Sequence, residues 1–251
     1  MHLALRAPGA VKTYGELLWA DPGDPVARAH TLAVIDDVLQ RYDIDGVHID
    51  DYFYPYPLVQ DGVEVAFPDG EAYLRHLGEG GTLSLPDWRR RHVDTFVQAL
   101  YEHVRRVKPR VLVGISPFGI GRPDRRPPGV GGFSQYDKLY ADVERWLEQG
   151  WLDYLAPQLY WPVASEAQPF VPLLQGWMQA NVRGRHLWPG LFASAVRGAV
   201  VAGEPAPGQP GATRIARPWP ARELLEQVAL LEQAAAAGGA GAPGGHIHYS
   251  I

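Results

Sequence analysis

Apolar residues in this chain fall into two alternating kinds of segment. Ile44 to Asp50 (IDGVHID), Val111 to Pro117 (VLVGISP), Leu152 to Leu159 (LDYLAPQL), Leu187 to Ala193 (LWPGLFA) and Gly245 to Ile251 (GHIHYSI) are short and bounded by turn residues, which predicts strands. Between them, apolar positions recur at helical spacing: Leu32, Ile35, Val38 and Leu39 after Asp24-Pro25; Val93, Phe96, Val97, Leu100 and Val104 after Pro86; then Leu139, Val143, Trp146 and Leu147. Leu173, Leu174 and Trp177 follow, and Leu224, Leu225, Val228 and Leu231 come after Pro220. Strand and helix alternate throughout, the pattern of a parallel α/β sheet.

The connections are lopsided. Helix-to-strand links such as Lys108-Pro109-Arg110 are short, whereas strand-to-helix links such as Asp51 to Leu85, Phe118 to Tyr136 and Ser194 to Trp219 are long. In parallel α/β folds the strand-to-helix loops leave the carboxyl end of the sheet, where ligands bind, so that end is the candidate active face. About five strand-helix steps are visible, against the eight of a closed (β/α)8 barrel. The residues before Pro25 read as the tail of an earlier loop. The expectation is a single partial TIM-barrel domain over residues 1–251, with strands 4 to 8 present and strands 1 to 3 missing.

Composition narrows the class. With 46% hydrophobic and 20% charged residues the chain has the apolar content for a packed core. A formal net charge of −5, with no block of Lys or Arg, argues against a nucleic-acid or anionic-membrane surface. There are no cysteines, which excludes disulfides, thiolate metal sites and a cysteine nucleophile. No apolar run reaches the ~18 residues of a membrane span. Met1 to Pro8 lacks a basic region followed by an apolar core, so no signal peptide is expected within this chain.

The chemistry concentrates in Asp43 to Pro57, DIDGVHIDDYFYPYP. Alternate strand residues face the same way, so Gly46, His48 and Asp50 share one face and Val47 and Ile49 the other. Packing Val47 and Ile49 on helices leaves His48 and Asp50 pointing into the barrel. A carboxylate there, a second one at Asp51, and an aromatic-proline loop carrying Tyr52 and Tyr54 suit sugar chemistry: acids for the glycosidic oxygen, aromatic faces for the ring. The bland alternative is that the aspartates cap the loop and His48 is a satisfied core histidine. Asp43 and Asp45 enter from the other end of the strand and read as structural. Arg89 to Arg91 read as a solvated basic face, with Arg90 reaching back to the site as the minority alternative; Trp88, Trp146, Trp151 and Trp177 read as packing residues.

DGVHIDDYFYPYP, DWRRRHVDTFV, VGISPFG, DYLAPQLYW and the closing GHIHYS, in this order, resemble the bacterial glycosyl-hydrolase-like 10 domain, from about Tyr14 to Ile251. The resemblance implies a TIM-barrel glycan hydrolase, exported or lipid-anchored in the cell envelope, with DGVHID as the fourth strand and the later motifs as the fifth to eighth. In that register Ser116, Gln158, Tyr160, Trp161, His248 and Ser250 fall at or near carboxyl ends of strands, where they supply donors, acceptors and stacking faces. One departure stands out besides the missing strands. Gly121 occupies a position where the family more often carries an aromatic residue.

The expectation is therefore a glycoside hydrolase with Asp50 and Asp51 as catalytic acids. His48, Tyr52, Tyr54, Ser116, Gln158, Tyr160, Trp161 and His248 are expected to bind the substrate, a carbohydrate polymer such as an N-acetylated amino-sugar glycan of the cell wall. No cofactor or metal is called for. The fifth to eighth strand ends offer no Asp or Glu, so a second acid would come from Asp51, from Glu64, Glu71, Asp124 or Asp137 in loops, or from elsewhere. Adjacent carboxylates resemble substrate-assisted enzymes, although the chitinase-like pattern DGxDxDxE is broken here by His48 and Tyr52. Two other readings stay open: a metal-dependent amidohydrolase or deacetylase using His48, Asp50 and His248, and a non-catalytic glycan-binding protein. An open edge at the Ile44–Asp50 strand would expose unpaired backbone groups and favour self-association.

Overall fold

The computed structural model describes residues 2–197 and 218–250. Most of the Ser194–Trp219 connection and the terminal Ile251 lie outside the described residues. The chain opens with a short helix, α1 (Leu3–Arg6), and an antiparallel hairpin, β1 (Val11–Tyr14) with β2 (Leu17–Ala20). Helix α2 (Pro25–Arg41) leads into β3 (Gly46–Ile49). The long connection that follows carries a second small hairpin, β4 (Val59–Gln60) with β5 (Val63–Glu64), and helix α3 (Gly70–Gly78), before α4 (Leu85–Val107). Then come β6 (Leu112–Ile115), α5 (Gln135–Lys138), α6 (Val143–Gln149), β7 (Tyr154–Leu155), α7 (Phe170–Ala180), β8 (His186–Leu187), β9 (Gly190–Phe192), α8 (Ala221–Ala237) and β10 (Ile247–Tyr249).

β3, β6, β7 and β8 form a parallel sheet in chain order, and β10 pairs in parallel with β9. A bridge between Gln158 and Gly190 carries the pairing from the β7 line to β9. The predicted parallel strands are thus present, side by side and in sequence order. Among the described residues β3 pairs with β6 and β10 with β9. The strands are shorter than their sequence patterns because Pro117, Pro157 and Pro189 follow β6, β7 and β8. Proline has no N–H to give a ladder, so each breaks the regular pairing at the carboxyl end. Pairing resumes around them: Gln158 N–H donates to Pro117 O at 3.0 Å and Gly190 N–H to Pro157 O at 2.9 Å.

The residues before Pro25, read as the tail of an earlier loop, carry the α1 helix and the β1–β2 hairpin. Tyr14 pairs with Leu17 across a two-residue turn in which Gly15 takes φ +59, the left-handed geometry that closes tight hairpins. The helices begin where local chemistry supplies caps. Asp24 accepts from Val26 N–H and Ala27 N–H at 2.7 and 3.2 Å, with Pro25 opening α2, and Ser84 accepts from Asp87 N–H at the start of α4. α6 ends at Gly150, φ +74.

Helix α4 supplies much of the core. Leu100 and Val104 pack with Leu39, Val111 and Val113 between α2, α4 and β6, while Val93 and Val97 join the larger cluster around Trp146, Leu155, Phe170 and Trp177. Trp88, Trp146 and Trp177 are buried, and Trp151 packs against the same cluster, as the sequence pattern implied. The Arg89–Arg91 run is not a uniform solvated face. Arg89 is buried and forks onto Asp69 through Nη2 and Nε at 2.6 and 2.8 Å, with its Nη1 on the Tyr140 hydroxyl at 2.6 Å. Arg90 lies over the Tyr136 ring and bonds Asp87 and Tyr136 O, away from the strand ends. These contacts tie the long β3–α4 connection to the helix it precedes.

Candidate active site

The carboxyl end of β3 presents His48 and Asp50 on an exposed face, as period-two alternation requires. Across the sheet, His48 stands opposite Gly114 of β6. A Cβ at Gly114 would come within 1.8 Å of the Tyr154 ring, so the glycine is what lets Tyr154 of β7 reach over β6. The Tyr154 hydroxyl meets His48 Nδ1 at 2.9 Å and the two rings stack 5.6 Å apart. Trp188 packs on the far side of Tyr154, at 4.5 Å. Burial lowers the pKa of His48, and Asp50 opposes that shift.

One level further up, Gln158 reaches the same distance across the sheet. Its side-chain amide donates to Asp50 Oδ1 at 2.8 Å and to Ser116 O at 3.0 Å, and Asp51 N–H gives Asp50 Oδ1 a second donor at 2.9 Å. The Ser116 hydroxyl itself donates to Ala156 O at 3.2 Å, holding neighbouring strand ends together. Beyond Gln158, Tyr160 stacks on Tyr249 of β10 at 5.0 Å and packs on Phe192 of β9 at 5.5 Å.

Asp51 points the other way and is 3% exposed. Its Oδ2 accepts a hydrogen bond from the Tyr56 hydroxyl. Burial pushes the Asp51 carboxyl up to about 7; the Tyr56 bond opposes this, while the charge of Asp50 and a side-chain hydrogen bond with it push in the same direction as burial. Tyr52, Tyr56, Tyr160 and Tyr249 all titrate above the ordinary phenol value, through burial first and the aspartates after it, so they stay neutral, and Tyr56 donates to Asp51. Among the described residues neither aspartate is ion-paired with a Lys, Arg or His.

A cavity of about 490 Å³ opens beside this end of β3, enclosed by β2, α2 and α4 and lined by Trp19, Asp21, Arg28, His48, Asp50 and Tyr52, among others. Tyr52 is 59% exposed and lies between Trp19 and Tyr56, at 6.3 and 5.8 Å.

The structure brings together Asp50, Asp51, His48, Ser116, Gln158, Tyr52 and Tyr160 of the expected set. Three others go elsewhere. Tyr54 is 1% exposed and edge-on to Phe67 and Tyr140, inside the core and away from any substrate face, because the turn after Asp51 carries Phe53 and Tyr54 inward. Trp161 turns edge-on to Phe118 and packs on the core. His248 is exposed and its Nε2 meets His246 Nε2 at 3.1 Å, while Ser250 bonds Ser194. The loop acids are engaged away from the pair: Glu64 with Lys138, Asp124 with Arg122 and Asp137 with Ser134, and Glu71 lies exposed in the first turn of α3. No group of three or more potential ligands capable of holding a metal ion occurs among the described residues.

Sequence reasoning overlooked Tyr56, Tyr154, Trp19 and Tyr249. Tyr154 carried a usable signal, since it shares its alternation with Ala156, Gln158 and Tyr160. Tyr56 and Trp19 did not, because their positions depend on loop and hairpin packing. The structure also accounts for Gly121: a Cβ there would lie 2.5 Å from Oε1 of buried Glu144, whose carboxylate accepts from Arg122 N–H at 2.7 Å.

The chain is 38% identical over 198 residues to glycosyl hydrolase YngK of Bacillus subtilis (strain 168), a match covering 76% of this chain and 38% of that protein. It is 34% identical over 170 residues to glycosyl hydrolase DigH of Escherichia coli (strain K12), covering 66% of this chain and 37% of that one. The chain thus spans less than two fifths of the length of these relatives. Bee venom hyaluronidase, solved with a hyaluronic acid tetramer, aligns with a TM-score of 0.48 and 11% identity over 96% of this chain and 75% of its own, a likeness that fixes neither fold nor substrate. The family described as glycosyl hydrolase-like 10 matches residues 1–202, which include β3, its two aspartates and the ends of β6 and β7, and the chain belongs to that family.

Proposed function

We propose that this chain hydrolyses glycosidic bonds in an N-acetylated amino-sugar glycan of the bacterial envelope, and that its strands correspond to the fourth to eighth of a (β/α)8 barrel. The observation that carries the reading is the Asp50–Asp51 pair. One carboxyl is exposed at a strand end and accepts from the Asp51 N–H, and the other is buried behind it with a raised pKa. Adjacent carboxyls in unlike surroundings are how a site keeps a proton available near neutral pH.

Asp50 is the catalytic residue, because it faces the open side where a sugar would lie. In the proposed step the proton held by Asp51 passes by way of Asp50 to the glycosidic oxygen as the bond to the anomeric carbon breaks. The carbonyl oxygen of the substrate's own 2-acetamido group forms the new bond to that carbon. Water then opens the cyclic intermediate and returns a proton to the pair. This substrate-assisted route is favoured because the other parallel strand ends carry no Asp or Glu, Glu64, Asp124 and Asp137 are engaged elsewhere, and Glu71 lies exposed on α3. Uncompensated carboxyls and neutral phenols also favour the positive charge that develops on the sugar. An exported or envelope location follows from the same reading.

The test is release of new reducing ends from an N-acetylated amino-sugar glycan and from its de-N-acetylated form. Asp50→Asn is expected to cut turnover by at least ~10²-fold, the loss typical of removing a positioned acid. The de-N-acetylated glycan should not be cleaved and EDTA should have no effect. Full activity of Asp50→Asn would overturn the assignment, inhibition by EDTA would favour the metal reading, and glycan binding without turnover the non-catalytic one.

A further inference from the structure

The chain's own phenols do more than line the aspartate pair. Asp51 is almost fully buried, and its Oδ2 is taken by the hydroxyl of Tyr56. Tyr56 has little freedom to leave. Its ring stacks on Phe133 at 5.2 Å with planes 30° apart, and meets the edge of Tyr52 at 5.8 Å. Phe133 belongs to the connection after β6 and is itself held, edge-on to Phe118 at 5.1 Å and through its carbonyl, which accepts from Arg126 Nη2 at 3.0 Å. An aromatic contact from a different strand's loop therefore sets where the Tyr56 hydroxyl points.

A carboxyl oxygen that accepts a hydrogen bond from a phenol is the poorer site for the acid's own proton. We propose that Tyr56 is a positioning residue: by donating to Oδ2 of Asp51 it confines the Asp51 proton to Oδ1, the oxygen that Tyr56 leaves free, and the Phe133 stack holds it in that role. This deepens the reading of Asp50 and Asp51 as a proton-sharing pair and rests on it. The ionisable groups acting on or acted on by Asp51 are Asp50, Tyr52, Tyr56, Tyr160 and Tyr249. With no cation paired to Asp51 among them, the Tyr56 donor is the principal side-chain group favouring the carboxylate.

The experiment follows the Asp51 carboxyl directly by ¹³C NMR across pH, assigned by comparison with Asp51→Asn. Tyr56→Phe keeps the ring and its stack but removes the donor. The Asp51 midpoint is expected to rise by roughly 1 in pH, the effect of losing one hydrogen bond to a charged group. Phe133→Leu, which leaves the hydroxyl but loosens its support, is expected to move the midpoint the same way by less. Circular dichroism confirms that each variant is folded. A midpoint unchanged or lowered in folded Tyr56→Phe overturns the proposal, whether or not the protein cleaves glycans. Where turnover is measurable, the matching pH limb of kcat should move with the midpoint while KM stays within about twofold. Turnover lost with an unmoved midpoint would also refute the positioning role while leaving the glycosidase reading intact.

Discussion

Gln158 and Asp50 lie 108 residues apart in the chain, and the side-chain amide of one donates to the carboxylate of the other at 2.8 Å. The contact spans β6, the strand between them, and fixes which oxygen of Asp50 remains free. Gln158→Ala is expected to lower kcat of glycan cleavage by roughly 10-fold to 100-fold, the equivalent of one hydrogen bond to a charged group. Steady-state kinetics on a defined glycan checks this, with an unchanged melting temperature showing that the loss is one of orientation.

Asp51 predicts a pH dependence of stability. Its folded pKa, about 7, lies above the ordinary value of 3.8 expected when the chain is unfolded. Between those values the folded state binds the proton more tightly, so the stabilisation from this group is full below the lower value and is lost as pH rises through about 7. Asp51→Asn cannot ionise. Relative to the parent, its melting temperature should therefore be higher at pH 8 than the same comparison gives at pH 5; an equal difference at both would show that Asp51 does not titrate as described.

The buried Arg89–Asp69 pair should be a stability determinant. Breaking such a pair from one side leaves an uncompensated buried charge, so Asp69→Asn or Arg89→Met is expected to cost about 3–5 kcal/mol by denaturant unfolding. The double substitution should cost less than the sum of the two singles.

Gly121 offers a test of a departure from the family pattern. Gly121→Phe, which installs the aromatic that the resemblance leads one to expect there, drives a Cβ into Glu144 and is expected to destabilise by about 1–3 kcal/mol, the usual cost of overpacking. Pairing it with Glu144→Ala should recover part of the loss, read as a shift in denaturation midpoint.

The order of the parallel strands, the helices between them and the shared face of His48 and Asp50 were legible in the sequence. All follow from local rules: period-two and period-3.6 alternation, capping residues, and long loops gathered at one end of the sheet. The burial of Asp51 and Tyr54 was not, because the chain turns after Asp50 and the fixed alternation of the strand no longer applies. Tyr154 over Gly114, Gln158 on Asp50, Tyr56 on Asp51 and Arg89 on Asp69 were equally out of reach. Each joins residues brought together by sheet order and loop packing, and which long side chain crosses to which partner depends on space left by a small neighbour such as Gly114. Strand alternation alone puts a carboxylate at the end of β3, whereas its neighbours come from segments that meet only when the chain is folded.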